Sequence, residues 1–145
     1  MSWVTDLLID SIGDVESGHN AQAVVDRHLK NKALGAFQLR LPAYQDVQRF
    51  EAMDMPKHLE GPRVFTSDMD FEEAMADPTL QRLATRRYLE GLEQHYHVPT
   101  EDHMIAGYNA GSSVKTKGIR NPDYVAKVRK AMSKRKGNPV MKKFK

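Results

Sequence analysis

Residues 2–17 read SWVTDLLIDSIGDVES, and their apolar positions recur mostly at intervals of three and four residues. Such spacing predicts a helix with one buried face, formed by Val4, Leu7, Leu8, Ile12 and Val15. Ser2 is expected to cap its start, and Gly18 is expected to end it in a left-handed turn. Glu16 then lies in the last turn, where the partial negative charge of the helix end opposes ionisation of its carboxyl group.

The later helices are marked by capping residues and by prolines at the first helical positions. They are expected from Pro42 to Phe50, from Ser67 or Asp68 to Ala76, from Asp77 to about His95, from Thr100 to Gly111, and from Asn121 onward. Strand patterns are weak, and only an irregular hairpin within residues 19–34 is expected. The sequence therefore predicts a mainly α, single-domain fold with at most a small β-hairpin.

Charge is divided unevenly along the 145 residues. Residues 1–112 carry ten Lys or Arg against eighteen Asp or Glu, whereas residues 113–145 carry twelve against one. We predict one domain over residues 1–132 and a basic tail over residues 133–145, because the tail has too few apolar residues to offset its ordering entropy. Its charge favours polyanions such as anionic wall polymers, nucleic acid or anionic lipid.

Composition excludes several classes of protein. There is no cysteine, so neither a disulfide framework nor a thiol nucleophile is available. The sequence contains no apolar run of about 18 residues, so no membrane span is expected. The N-terminal segment has acids at Asp6, Asp10 and Asp14 and no basic residue before its apolar positions, the opposite of the charge order of a signal peptide, so none is expected. The only close histidine pair, His95 and His97, does not share a helix face, so we expect no metal site and no cofactor.

Three short segments carry possible chemistry. They are Glu16-Ser17 at a helix end, Gly35-Ala36-Phe37-Gln38, and Ala-Gly-Tyr-Asn-Ala-Gly at residues 106–111. Each alone has an ordinary explanation: an exposed carboxylate, a tight helix start with Phe37 in the core, or a helix end shaped by Asn109 and Gly111. Their presence together and in this order is more specific.

In that order, and followed by Tyr124 at the start of a late helix, the segments resemble the SLT-type lytic transglycosylases. The resemblance covers about residues 4–132 and implies a lysozyme-like fold. The chain departs from the family pattern at His19, Ala36 and Phe37. It also has a longer stretch over residues 49–70, which we interpret as a substrate-contacting loop.

The resemblance implies cleavage of the glycosidic bond between N-acetylmuramic acid and N-acetylglucosamine in peptidoglycan. Glu16 would protonate the leaving oxygen and then take the proton of the sugar's own primary hydroxyl as an anhydro ring closes. One carboxyl group suffices if it is protonated when substrate binds, and burial favours that state. Tyr124 is expected near Glu16, and Phe37 in the wall of the cleft or in the core.

Residue chemistry leaves the supporting roles open. Ser17 and Gln38 are expected either to bind the glycan or to hold Glu16 in place. Tyr108 is expected to pack on a sugar face or to hydrogen-bond Glu16. Asn109 is expected to contact an acetamido group or to shape the backbone turn.

Two other functions are consistent with the sequence. If Asp26 reached the cleft as a second carboxylate, the enzyme would be a muramidase that activates water. Alternatively, the chain is a non-catalytic module that binds cell wall or nucleic acid through its basic C-terminal third.

The expected setting follows from the small size and the expected lack of a signal peptide. We expect a monomer made in the cytoplasm that acts on the cell wall as a phage endolysin or virion-associated lysin, or within a secretion system. Its expected partners are peptidoglycan glycan strands and anionic wall or envelope polymers, without stable membrane insertion.

Overall fold

A computed structural model describes residues 2–25, 32–53 and 63–137. Within these ranges the chain forms seven helices and a small antiparallel sheet, so the predicted mainly helical class with a small β element is confirmed. The elements in chain order are α1 (Asp6–Glu16), β1 (Val24–Val25), β2 (Ala33–Leu34), β3 (Leu39–Arg40), α2 (Leu41–Ala52), α3 (Phe71–Met75), α4 (Pro78–Gln94), α5 (Glu101–Ala110), α6 (Val114–Lys117) and α7 (Pro122–Lys136).

Helix α1 begins later than predicted because Thr5, not Ser2, is its cap. The Thr5 hydroxyl accepts a hydrogen bond from the backbone N–H three residues further on, at 3.1 Å. The Ser2 hydroxyl instead donates to Oε1 of Glu93 at 2.6 Å. The other end is as predicted: Glu16 is the last helical residue, and Gly18 adopts a left-handed φ of 65°.

The remaining helix starts follow the predicted chemistry with two corrections. Asp77 caps α4 as expected. Asp70, rather than Ser67 or Asp68, caps α3, because its carboxylate accepts two backbone N–H groups of the first turn. Asn121 precedes α7, but its side chain makes no capping bond and points toward the end of α5 instead.

The expected hairpin is present as β1 and β2, and a third strand extends it. The strands are antiparallel in the order β1-β2-β3, and Leu34 pairs with both Val24 and Leu39. The turn between β2 and β3 requires Gly35: its φ is 83°, and a Cβ there would come within 2.5 Å of the Gln81 side chain. The segment expected as a possible helix start is therefore a β-turn.

Helix packing brings the ends of several elements to one place. Helix α1 packs against α7, α2 packs against α4, and α5 contacts both α4 and α7. Burial of the apolar faces supplies the main stabilisation of this arrangement. Fully buried side chains include Leu8, Ile12, Leu89, Ile105 and Val128.

Three predictions fall partly or wholly outside the described residues. Asp26, the candidate second carboxylate, lies outside them, as do residues 54–62 of the predicted substrate-contacting loop and residues 138–145 of the predicted tail. Residues 133–136 are helical and belong to α7, so the last helix runs past the predicted domain boundary. Within the described residues, no helix has both the length and the apolar character needed to cross a membrane.

Candidate active site

A cleft of about 330 Å³ lies where the end of α1, the small sheet, the start of α2 and the end of α5 meet. This volume is at the lower end of the range for ligand pockets, about 300–1,000 Å³. Its walls combine apolar and polar side chains. The polar side chains lining it are Glu16, Gln38, Arg40, Tyr88, Tyr108 and Asn109.

Glu16 is the only carboxylate among the described residues that line this cleft. It is half-buried, and its Oε2 accepts a hydrogen bond of 2.7 Å from the Tyr124 hydroxyl. Burial raises the pKa of Glu16 because it penalises the charged form, while the Tyr124 hydrogen bond and the positive charge of Arg40 act in the opposite direction. Burial is the larger effect, so the Glu16 carboxyl holds a proton to higher pH than a free glutamate does.

Tyr124 lies beside Glu16, as the sequence predicted. It is in the first turn of α7, which packs along α1 and so brings residues far apart in sequence together. Burial, together with the nearby negative charge of Glu16, raises the pKa of Tyr124. The phenol therefore stays protonated and acts as a hydrogen-bond donor to the carboxylate.

Ser17 holds the chain beside Glu16 but does not line the cleft. Its hydroxyl donates to the carbonyl of Ala36 at 2.6 Å and accepts from the backbone N–H of Asn20 at 2.9 Å. These bonds tie the end of α1 to the β2–β3 turn. Of the two predicted roles, this geometry favours holding Glu16 in place over contact with the glycan.

Gln38 lines the cleft and also fastens the sheet. Its Nε2 donates to the carbonyl of Gly35 at 2.9 Å and to that of Ala23 at 3.3 Å. Its backbone is left-handed, with φ of 51°, an unusual conformation for a residue with a side chain. The turn thus directs the Gln38 side chain toward the cleft while its amide nitrogen holds β1 in place.

Tyr108 lines the cleft but does not hydrogen-bond Glu16, which corrects one of its two predicted roles. Its hydroxyl donates to the carbonyl of Phe37 at 2.7 Å, and its ring meets the ring of Tyr88 edge-on at 5.8 Å. The two tyrosines form one aromatic wall. The predicted stacking of Tyr108 on a sugar face stays a prediction.

Phe37 is placed in the core rather than among the residues that line the cleft. Only 4% of its surface is exposed, and its ring packs edge-on against His19 at 6.0 Å. Of the two expected places, the wall of the cleft and the core, the structure therefore shows the core. The reason is the β-turn, which turns the ring inward and leaves only the carbonyl to bind Tyr108.

Asn109 is exposed at the mouth of the cleft, in the last turn of α5. Its Oδ1 accepts from Nδ2 of Asn121 at 2.9 Å, which fixes the orientation of the amide. The alternative role in the backbone turn is wrong, because Asn109 is helical and Gly111 supplies the positive φ of 93°. Contact between Asn109 and an acetamido group stays a prediction.

Sequence reasoning missed two polar residues of the cleft. Arg40, at the start of α2, supplies the positive charge near Glu16, and nothing in its sequence context indicated this. Tyr88 lies within α4, and nothing in its sequence context indicated a place in the cleft either. Among the described residues, no group of three or more histidines and acids is placed to hold a metal ion.

Comparison with known proteins adds no assignment to this geometry. No protein-family model matches the chain, and no curated protein matches it.

Proposed function

We propose that this protein is a peptidoglycan lytic transglycosylase with a lysozyme-like fold. The observation that carries the proposal is the state of Glu16, a cleft carboxyl group with its pKa raised by burial and a tyrosine hydroxyl bound to it. A group in that state is suited to give a proton first and recover one later.

The reaction needs only one carboxyl group and no water. Glu16 donates its proton to the oxygen that joins N-acetylmuramic acid to N-acetylglucosamine, and the bond from that oxygen to the muramic C1 breaks. The primary hydroxyl of the same muramic sugar then bonds to C1, and Glu16 accepts the hydroxyl proton. Tyr124 stabilises the carboxylate between these steps through its hydrogen bond.

The described cleft supplies the one carboxyl group that this reaction requires. A hydrolase of the usual kind places a second carboxylate about 5–9.5 Å from the acid, as nucleophile or base. Among the described residues that line the cleft, Glu16 is the only carboxylate. An attacking hydroxyl on the same sugar needs less help, because an intramolecular nucleophile gains from its high effective concentration.

The proposed setting is the bacterial cell wall. The substrate is a glycan strand, and the protein acts as a monomeric phage endolysin or virion-associated lysin. The fold class and the cleft are consistent with this setting, and the resemblance in the three sequence segments and Tyr124 supports it.

Mass spectrometry of purified peptidoglycan after digestion tests the proposal, with Glu16→Gln as the matched control. We expect wild-type products with anhydro-muramyl ends and no products from the variant. Reducing muramic ends would assign the hydrolase instead. If the wild-type protein left the peptidoglycan uncleaved, the enzyme assignment would be rejected and a wall-binding module favoured.

A further inference from the structure

A second groove, of about 610 Å³, runs between the end of α1 and the outer face of α7. Its apolar floor contains Val15 and Ala131, and Val15 directly precedes Glu16 of the cleft. Three lysines rise from α7 along it, Lys127, Lys130 and Lys134. Their spacing of three and four residues puts them on one helix face, over about 10 Å of helix length.

These lysines differ from the arginines that link the helices. None of the three makes a hydrogen bond or an ion pair with any residue in the described ranges. The arginine pairs include Arg82–Asp10, Arg129–Asp102 and Arg135–Asp14. The stripe of unpaired lysines therefore carries positive charge that the body of the protein leaves uncompensated.

The one acid in the groove does not cancel this charge. Asp14 is bound by Arg135 through two hydrogen bonds, of 2.5 and 2.8 Å. The Asp14–Arg135 pair has no net charge, so the groove has a net positive charge of about three, from its lysines. Neighbouring like charges on a helix repel each other, and a bound anion relieves that repulsion.

We propose that this α1–α7 groove binds a phosphodiester-linked polyol polymer of the bacterial cell wall. The inference rests on the proposed function, because such polymers are attached to the glycan strand that the neighbouring cleft receives. Repeated phosphates match a row of lysines, and the C–H surface of a polyol chain matches the apolar floor. The groove holds the enzyme on the wall while the cleft cleaves the strand.

Two other polyanions fit the groove less well. Single-stranded nucleic acid is bound through aromatic side chains on which bases stack, and none of the described groove residues is aromatic. An anionic membrane is bound by a helix that inserts its apolar face. The apolar face of α7 is buried, with Val125, Val128 and Met132 in the core.

The test measures sedimentation with sacculi at several salt concentrations. The proteins carry Glu16→Gln, so that the sacculi are not digested during binding. The groove variant adds Lys127→Gln, Lys130→Gln and Lys134→Gln. The matched control instead adds Lys115→Gln, Lys117→Gln and Arg120→Gln, which removes the same charge from exposed residues outside the groove.

On sacculi that retain their phosphodiester polymer, the groove variant is expected to bind at least about tenfold more weakly than the control at low salt. A plot of log affinity against log salt is expected to be less steep for the groove variant than for the control, by about two units. The reason is that three lysines are removed and about 0.7 counterions are released per neutralised phosphate. On sacculi stripped with hydrofluoric acid, both variants are expected to bind equally. Thermal melting checks that both variants are folded.

Three results would overturn the proposal. The first is equal affinity and salt slope for the two variants on polymer-bearing sacculi. The second is an equal loss by the groove variant on stripped sacculi, which would assign the lysines to the glycan. The third is tighter binding of single-stranded DNA than of the polymer. Failure of the transglycosylase assignment appears separately, in the product analysis, because this assay measures binding without cleavage.

Discussion

Two glutamates near helix ends have opposite surroundings. Glu51, in the last turns of α2, is 1% exposed and lies 3.1 Å from Nε of Arg87, while its Oε1 accepts the backbone N–H groups of Val64 and Phe65. Glu16, at the end of α1, is half-buried at a cleft, and the structure gives it one hydrogen bond, from Tyr124. The charge of Glu51 is therefore compensated by an arginine and two backbone N–H groups, whereas Glu16 has the Tyr124 hydroxyl as its one hydrogen-bond partner.

The difference separates a structural carboxylate from a candidate catalytic one. Partners that compensate a buried charge fix the surrounding chain, and here they tie Val64 and Phe65 to α2 and Arg87 of α4 to the same carboxylate. A poorly compensated carboxyl group is poised to exchange a proton instead. A raised pKa is not sufficient, since burial also raises the pKa of Glu90, which contacts Arg87 and does not line the cleft.

The largest expected effect is on activity. Glu16→Gln removes the exchangeable proton and should lower the rate of wall cleavage by at least about 1,000-fold. Glu51→Gln should leave the rate per folded molecule unchanged at temperatures where the variant is folded. Turbidity loss of a wall suspension measures both rates. A large loss of rate in folded Glu51→Gln would break the distinction between the two groups.

Stability should respond in the opposite sense. Glu51→Gln removes the charge that faces buried Arg87 and should lower the free energy of unfolding by about 3 kcal/mol. Glu16→Gln should instead raise stability above neutral pH. The folded protein holds the Glu16 proton more tightly than the unfolded chain, so proton binding at Glu16 stabilises the wild-type fold. This stabilisation is complete below the pKa of Glu16 in the unfolded chain and is lost as pH rises through its pKa in the folded protein.

Urea unfolding at two pH values measures these stability changes. The double variant Glu51→Gln with Arg87→Met is the control, because removing both charges should recover part of the loss. A stability gain for Glu16→Gln that is the same at pH 4 and pH 8 would not come from the carboxyl charge.

Tyr124→Phe should have an intermediate effect that is specific to Glu16. The hydroxyl favours the carboxylate, so its loss raises the pKa of Glu16 further and moves the basic limb of the activity profile to higher pH. The rate should fall about tenfold, since a hydrogen bond to a charged group contributes about 1.5 kcal/mol. A lower rate with an unmoved limb would mean that Tyr124 acts only in packing.

The smallest expected effect is at the mouth of the cleft. Asn121→Ala removes the hydrogen bond that orients Asn109 and should raise KM on soluble muropeptides by about threefold, with little change in kcat. Arg120→Gln, at the neighbouring exposed position, is the control. A change in kcat alone would place Asn121 outside substrate binding.

Local chemistry in the sequence predicted much of the helical scaffold. Asp77 and Thr100 cap the helices that they were expected to cap, and Gly18 ends α1, because caps and left-handed turns depend on a few neighbouring residues. The start of α1 was wrong because both Ser2 and Thr5 have the right chemistry. Tertiary contact with Glu93 occupies Ser2 and leaves the cap to Thr5.

The candidate site could be predicted only in part. Motif order indicated Glu16 and its neighbour Tyr124, although they are 108 residues apart. The inward turn of Phe37 and the bond from Tyr108 to its carbonyl depend on β3, which the sequence did not indicate. The charge of Arg40 near Glu16 depends on the same strand.

A carbon-13 NMR titration of the Glu16 carboxyl group, compared with the basic limb of the activity profile, tests the proton-donor role of Glu16 most directly. We expect the pKa of Glu16 to lie above its ordinary value of 4.5 and activity to be lost over the same pH range. A midpoint at or below 4.5 in the folded protein, with activity that continues well above it, would contradict the role of Glu16 as the proton donor.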